Sequence, residues 1–159
     1  MNTESEGDGV IRNFAAKYAI IYANEYYDQL RTLERSMSDL KWTKNDLINA
    51  RPTVEMFGIP RENVYELIDC TYDQVQTVNK ELKSRVHKHA EAGESVFVYA
   101  YAAGHGLGGV RQYLMLNDSS IERALYNIEE ELRILSKGAK GLCHVLALYD
   151  MCRIDASKF

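Results

Sequence analysis

Two apolar stretches decide the fold of this chain, and a residue with a chemically reactive side chain follows each of them. The first reads SVFVYAYAAGHG at residues 95–106, and the second reads LCHVLALYDMCR at residues 142–153. Short continuous apolar runs of this kind predict strands that are buried on both faces. His105 follows the first run and Cys152 follows the second. Because open α/β sheets bind their ligands at the carboxyl ends of the strands, we expect His105 and Cys152 to meet at that edge.

The remaining sequence alternates between strand and helix patterns. Further short apolar runs predict strands at residues 17–23, 63–68 and 112–116. Strands that alternate with helices form parallel βαβ units with right-handed crossovers. The expected fold is therefore α/β, a three-layer sandwich in which a mostly parallel sheet carries helices on both faces.

Three segments carry apolar residues at helical spacing. The first, from Asp46 to Phe57, is interrupted by Pro52, which favours a kink or a late start. The other two begin at capping signals, Thr71 and Ser119. The predicted helices cover about residues 46–57, 71–92 and 119–137.

The composition limits the class of protein. A length of 159 residues supports one domain with a core, and 46% hydrophobic with 26% charged residues is ordinary for a globular chain. The net charge of −4 comes without a basic cluster, so we expect no nucleic-acid partner. No apolar run approaches the roughly 18 residues that span a bilayer, so we expect no membrane partner. Three scattered cysteines favour a reducing compartment, the cytoplasm, over a disulfide scaffold.

A thiol beside an imidazole is the minimum set for a cysteine nucleophile, because the imidazole can take the thiol proton. Attack on a peptide carbonyl creates an oxyanion that needs donors placed in advance. In the Gly-His-Gly turn, the N–H of Gly106 can approach a substrate closely, and the N–H of Cys152 is the second candidate donor. No metal-ligand cluster is visible in the sequence.

Together these motifs resemble the large-subunit half of caspase-like cysteine proteases, and among them most closely the paracaspases. The segment YAAGHG at residues 101–106 is similar to the family's histidine strand, and DMCR at residues 150–153 matches the paracaspase cysteine motif, whose Asp-x-Cys core metacaspases share. Cys152 follows His105 by 47 residues (152 minus 105), where the caspase spacing is about 50. The resemblance covers about residues 17–155.

The resemblance implies a role for each of these residues. Cys152 would be the nucleophile, His105 the general base and acid, and Gly106 with Cys152 the oxyanion hole. Asp46 and Asp150 match the acids that line the family's pocket for the residue before the cleaved bond. Two carboxylates favour Arg, so the implied substrate is a protein or peptide cut after Arg or Lys, and no cofactor is implied.

The expected domain organisation is a disordered acidic tail over residues 1–14 and a caspase-like catalytic domain over residues 15–159. The chain ends seven residues after Cys152 (159 minus 152), so the family's small-subunit half is absent. Either a second polypeptide supplies that half, as a small-subunit chain or a homodimer partner, or the chain is a fragment, or it is not a protease.

Two rival functions follow from the same residues. The first is an inactive truncated pseudo-protease or regulatory subunit that acts by binding a partner. The second is a nucleotide-binding oxidoreductase, because residues 104–109 satisfy the pattern G-x-G-x-x-G. A dinucleotide fingerprint must open a helix, however, whereas residues 110–116 look extended, which argues against the second rival.

Overall fold

A four-stranded parallel sheet forms the middle layer of the molecule. The computed structural model describes residues 13–27, 39–41, 43–108, 111–118, 126–151 and 154–155. The strands of this sheet are β1 (Ala16–Ala23), β2 (Val64–Ile68), β3 (Val96–Gly104) and β6 (Cys143–Met151). Their order across the sheet is β2-β1-β3-β6, and every neighbouring pair is parallel.

Helices cover both faces of this sheet. They are α1 (Thr43–Met56), α2 (Tyr72–Glu91) and α3 (Ile128–Gly138). One core joins α1 to the sheet, and a larger core joins α2 and α3 to the opposite face. The predicted three-layer α/β arrangement is confirmed. None of the helices in the described ranges is both long enough and apolar enough to cross a membrane.

The alternation of side chains along β1 explains why its sequence is apolar throughout. Tyr18, Ile20 and Tyr22 enter the core beneath α2 and α3, whereas Ala19, Ile21 and Ala23 enter the core beneath α1. Successive side chains of a strand point to opposite faces, so a strand covered on both sides needs apolar residues at every position.

The first helix differs from the sequence expectation. It begins at Thr43 and continues through Pro52 to Met56, so the predicted late start is wrong. Its first turn is stabilised by the carboxylate of Glu25, which accepts the backbone N–H of Lys44 at 2.9 Å. Pro52 lies on the exposed side of the helix, where water can replace the missing N–H donor.

The third helix begins later than predicted. The side chain of Asn127 accepts the backbone N–H of Glu130 and caps α3, and Tyr126 forms a β-bridge with Leu114. The predicted capping signal at Ser119 lies outside the described residues, as do residues 1–12 of the predicted tail.

A small second sheet lies beyond the carboxyl ends of β3 and β6, and the sequence patterns did not predict it. It consists of β4 (Gly106–Gly108), β5 (Tyr113–Leu114) and β7 (Ile154–Asp155) in the order β5-β4-β7. The predicted strand at residues 112–116 corresponds to the much shorter β5. A separate cluster of buried apolar side chains packs beneath this sheet, formed by Tyr27, Leu107 and Met115.

Candidate active site

The backbone register places the chain on both sides of Cys152 beside the chain on both sides of His105. In the main sheet Met151 pairs with Gly104, and in the small sheet Ile154 pairs with Leu107. Cys152 itself lies outside the described residues. Two segments of equal length, 104–107 and 151–154, are therefore joined at both ends, and the predicted nucleophile and base occupy equivalent positions within them.

His105 is held through its backbone on both sides. Its N–H donates to the hydroxyl of Tyr27 at 2.8 Å, and its carbonyl accepts the N–H of Met115 at 3.0 Å. The ring of Tyr27 lies against the imidazole with 4.8 Å between the ring centroids. His105 is only 6% exposed, so the imidazole sits in a shielded environment rather than on an open turn.

Asn24 connects the ends of several strands and is fully buried. Its side-chain amide donates to the carbonyl of Met115 at 3.0 Å, and its side-chain oxygen accepts the N–H of Cys70 at 3.2 Å. Its own N–H donates to the carbonyl of Ala103 at 3.1 Å. The sequence patterns did not assign Asn24 or Tyr27 to the site. The available signals were a polar Asn directly after an apolar strand and Tyr27 as a possible aromatic anchor in a polar segment.

Gly104 is required by the close approach of this loop. Its backbone φ angle is 150°, a value that residues with a side chain rarely adopt. A Cβ atom there would lie 2.8 Å from the hydroxyl oxygen of Tyr27 and 3.3 Å from the carbonyl oxygen of Asn24. The glycine before the histidine therefore makes room for the residues that hold His105. Gly106 begins β4 and is buried, and its predicted role in an oxyanion hole stays a prediction.

The structure places Asp46 and Asp150 close enough for their charges to interact with each other and with Tyr101. Burial first, and then the negative charge of Asp150, raise the pKa of Asp46. The hydroxyl of Tyr101 donates to Asp150 at 3.3 Å, and burial together with both carboxylates raises the pKa of Tyr101. Asp46 comes from α1 and Asp150 from the end of β6, so the two predicted pocket acids converge from elements far apart in sequence.

A charged cluster fixes the loop after β1 to the start of α1. The ammonium of Lys44 lies 2.9 Å from Asp69 and 3.4 Å from Glu25. Asp69 also accepts the backbone N–H groups of Glu25 and Tyr26 at 2.7 and 3.0 Å. Burial opposes ionisation of Asp69, but the hydrogen bonds from Lys44 and from these N–H groups hold its pKa below the usual value.

The two described cysteines behave as core residues. Both are free and buried, and burial raises the pKa of Cys70 to about 12 and that of Cys143 to about 11. Thiols with such pKa values are almost entirely protonated at neutral pH and react slowly. Across the residues that the structure describes, no three His, Cys, Asp or Glu side chains cluster in a way that would hold a metal ion.

Comparison with known proteins identifies the fold. No protein-family model and no curated protein matches this chain. A solved structure of pro-Sf-caspase-1 matches it with a TM-score of 0.55 at 19% sequence identity. The match covers 89% of this chain and 52% of that one, so this chain spans about half the length of the caspase it matches. The class is therefore an α/β protein with a caspase-like fold.

The finer resemblance to paracaspases and metacaspases, and the roles that it implies for Asp46, His105, Gly106, Asp150 and Cys152, stay predictions.

We expect Gly104→Ala to destabilise the protein by about 2 kcal/mol, because the new methyl group would collide with the hydroxyl of Tyr27 and strain the backbone. Urea denaturation followed by circular dichroism measures the change. Gly138→Ala is the matched control, since Gly138 ends α3 with no atom within 4 Å of its added Cβ. Equal stability of the two variants would contradict the packing described for Gly104.

Proposed function

We propose that this chain carries the catalytic residues of a cysteine endopeptidase that cleaves after Arg or Lys, with Cys152 as nucleophile and His105 as base. The observation that carries the proposal is the paired register on both sides of these residues, Gly104 with Met151 and Leu107 with Ile154. Neighbouring parallel strands lie about 4.8 Å apart, so a thiol and an imidazole that extend from adjacent segments can reach one carbonyl group. The caspase-like fold supports the same proposal.

The proposed reaction proceeds through a thioester. His105 takes the proton of the Cys152 thiol, and the thiolate attacks the carbonyl carbon of the substrate. The oxyanion that forms accepts hydrogen bonds from the backbone N–H groups of Gly106 and Cys152. The C–N bond then breaks as His105 returns the proton to the leaving amine. Water, activated by the same imidazole, hydrolyses the thioester to a carboxylic acid and restores the thiol. A reducing compartment such as the cytoplasm would keep that thiol active.

The proposed specificity depends on Asp46 and Asp150. A guanidinium presents its donors as a planar fork that can pair with two carboxylates at once, whereas an ammonium is a point charge. The charges of Asp46 and Asp150 repel each other, since burial and then the negative charge of Asp150 raise the pKa of Asp46. A substrate cation would relieve that repulsion, and Arg would do so better than Lys.

We expect iodoacetamide at neutral pH to label Cys152 in preference to Cys70 and Cys143, because burial keeps the latter two protonated. His105→Ala should slow the labelling of Cys152 at least tenfold, and Cys152→Ala should abolish cleavage of Arg-ended fluorogenic peptides. Mass spectrometry of tryptic peptides measures the labelling. Cys143→Ala is the control, which should leave both labelling of Cys152 and cleavage intact.

If Cys152 reacted at the rate of an ordinary exposed thiol, with no effect of His105→Ala, the proposed dyad would be wrong. Cleavage that persists in Cys152→Ala would exclude Cys152 as the nucleophile.

We expect Asp46→Asn and Asp150→Asn each to lower kcat/KM for Arg-ended peptides about tenfold or more, since a charge-assisted hydrogen bond contributes ~1.5–3 kcal/mol. Glu91→Gln, at the far end of α2, removes the same charge and should have no effect. Steady-state kinetics on Arg-ended and Leu-ended peptides measures the change. An equal loss on both peptides would contradict a specificity role.

The raised pKa of Asp46 adds a dependence on pH. The Arg side chain stays cationic, so binding requires ionised carboxylates. Because its folded-state pKa is raised, Asp46 gains a proton at a higher pH than an ordinary aspartate, and kcat/KM for Arg-ended peptides should begin to fall earlier on acidification. Asp150→Asn removes one cause of the raised pKa, so this acid limb should move to lower pH. An acid limb that Asp150→Asn leaves in place would contradict this coupling.

A specific observation also favours a partner chain, either to complete the enzyme or as the basis of a non-enzymatic role. Within the described residues, β6 pairs with β3 alone and forms an edge of the main sheet. Leu146 and Leu148, on the face of β6 that α1 leaves uncovered, are 40% and 46% exposed. An apolar edge strand of this length is a template for another strand and is normally covered. A small-subunit chain or a second copy would cover it.

We expect Leu148→Lys to prevent association of the chain with itself or with an added small-subunit chain, because it places a charge on the uncovered apolar face. Sedimentation velocity measures the association, and the peptide assay measures any activation that it brings. Ile48→Lys, on the exposed side of α1, is the control. Association that persists in Leu148→Lys would contradict the proposed interface. Association of the unchanged chain without any gain in cleavage would favour the non-enzymatic binding role.

A further inference from the structure

Four hydrogen bonds form a closed ring around the backbone of His105. The N–H of His105 donates to the hydroxyl of Tyr27 at 2.8 Å, and that hydroxyl donates to the carbonyl of Asn24 at 2.9 Å. The side-chain amide of Asn24 donates to the carbonyl of Met115 at 3.0 Å. The N–H of Met115 donates to the carbonyl of His105 at 3.0 Å and closes the ring. Both peptide groups that flank the histidine side chain are thus fixed by one network.

We propose that Tyr27 and Asn24 are positioning residues, which hold His105 so that its imidazole faces the segment that carries Cys152. This inference rests on the proposed function of His105 as the base. Neither residue would touch a substrate. Tyr27 acts on His105 in two ways, through the hydroxyl that accepts its N–H and through the ring that lies against the imidazole.

The hydroxyl of Tyr27 has a geometric function that a phenylalanine could not supply. It is the only group described in the ring that both accepts from His105 and donates to Asn24, and Tyr27 is fully buried. Without the hydroxyl, a buried N–H and a buried carbonyl would lose their partner together, and the backbone would move to recover one. A shift of about 1 Å at a reacting group can cost about a hundredfold in rate, so such a move would be visible in catalysis.

Asn24 ties the ring to the rest of the sheet. Its N–H bonds to Ala103 of β3, and its side-chain oxygen accepts the N–H of Cys70 beyond β2. The backbone N–H, the side-chain amide and the side-chain oxygen of Asn24 thus each bond to a segment at the end of a different strand. Hydrogen bonds therefore connect the backbone of His105 to the ends of β1, β2, β3 and β5. Hydrogen-bond networks whose groups are all satisfied make a site rigid.

The inference is tested with Tyr27→Phe, which removes the hydroxyl and keeps the ring. We expect the imidazole resonances of His105 to change their chemical shifts and tautomer balance in histidine-selective NMR. We expect alkylation of Cys152 to slow about tenfold at neutral pH, with a shifted pH profile. The control is Tyr126→Phe, which removes another buried hydroxyl that bonds to Asn79 and Tyr22, away from His105. It should lower stability without moving either readout.

A double-mutant cycle sharpens the test. Asn24→Asp keeps an acceptor for Cys70 but loses the donation to Met115, so it opens the same ring at another bond. If both residues act through one ring, the effects of Tyr27→Phe and Asn24→Asp on the alkylation rate should be strongly non-additive. Tyr27→Phe combined with Tyr126→Phe should be additive.

The outcomes of this test and of the proposed function can be told apart. NMR of His105 reports its placement whether or not the chain cleaves peptides. Unchanged His105 resonances in Tyr27→Phe, or equal changes in Tyr126→Phe, would overturn the positioning role. Changed resonances with an alkylation rate that neither His105→Ala nor Tyr27→Phe affects would leave Tyr27 as an anchor of the loop and overturn its role in catalysis along with the dyad.

Discussion

The parallel register of β3 against β6 is the constraint on which the candidate site depends. Each pair in that register is separated by 47 residues, as Gly104 and Met151 are (151 minus 104). The small sheet repeats the offset with Leu107 and Ile154 (154 minus 107). A slip by one residue would turn every side chain of β6 to the opposite face of the sheet. The two sheets together exclude such a slip, because both would have to shift at once.

This constraint was partly visible in the sequence, since the spacing of His105 and Cys152 is also 47 residues. The strands β1 and β3 could be predicted because each is a continuous apolar run and is covered on both faces. The strand β6 was predicted from a similar run, but the expectation that it is buried on both faces is wrong, since Leu146 and Leu148 on one face are exposed. The second helix could be predicted because Thr71 and Gln74 form both bonds of a capping box. These signals are local, and the fold class follows from their alternation alone.

The parts that could not be predicted depend on contacts between distant segments. The strands of the small sheet are two or three residues long, too short for any periodicity, and β4 begins with a glycine. The start of α1 is set by Glu25, a residue outside the helix, and the start of α3 follows a β-bridge from Tyr126 to Leu114. Asn24 and Tyr27 carry no helical or strand pattern, because their partners come from four different elements.

The loop after β1 connects the two halves of the candidate site. Asn24 and Tyr27 fix the backbone of His105, while Glu25, between them, accepts the first-turn N–H of the helix that carries Asp46. Glu25 is only 7% exposed, and its bonds to Lys44 offset the cost of burying its carboxylate. One four-residue segment thus bonds both to His105 and to the first turn of the helix that carries Asp46. We therefore expect a change that moved this segment to alter the rate and the specificity of the proposed reaction together.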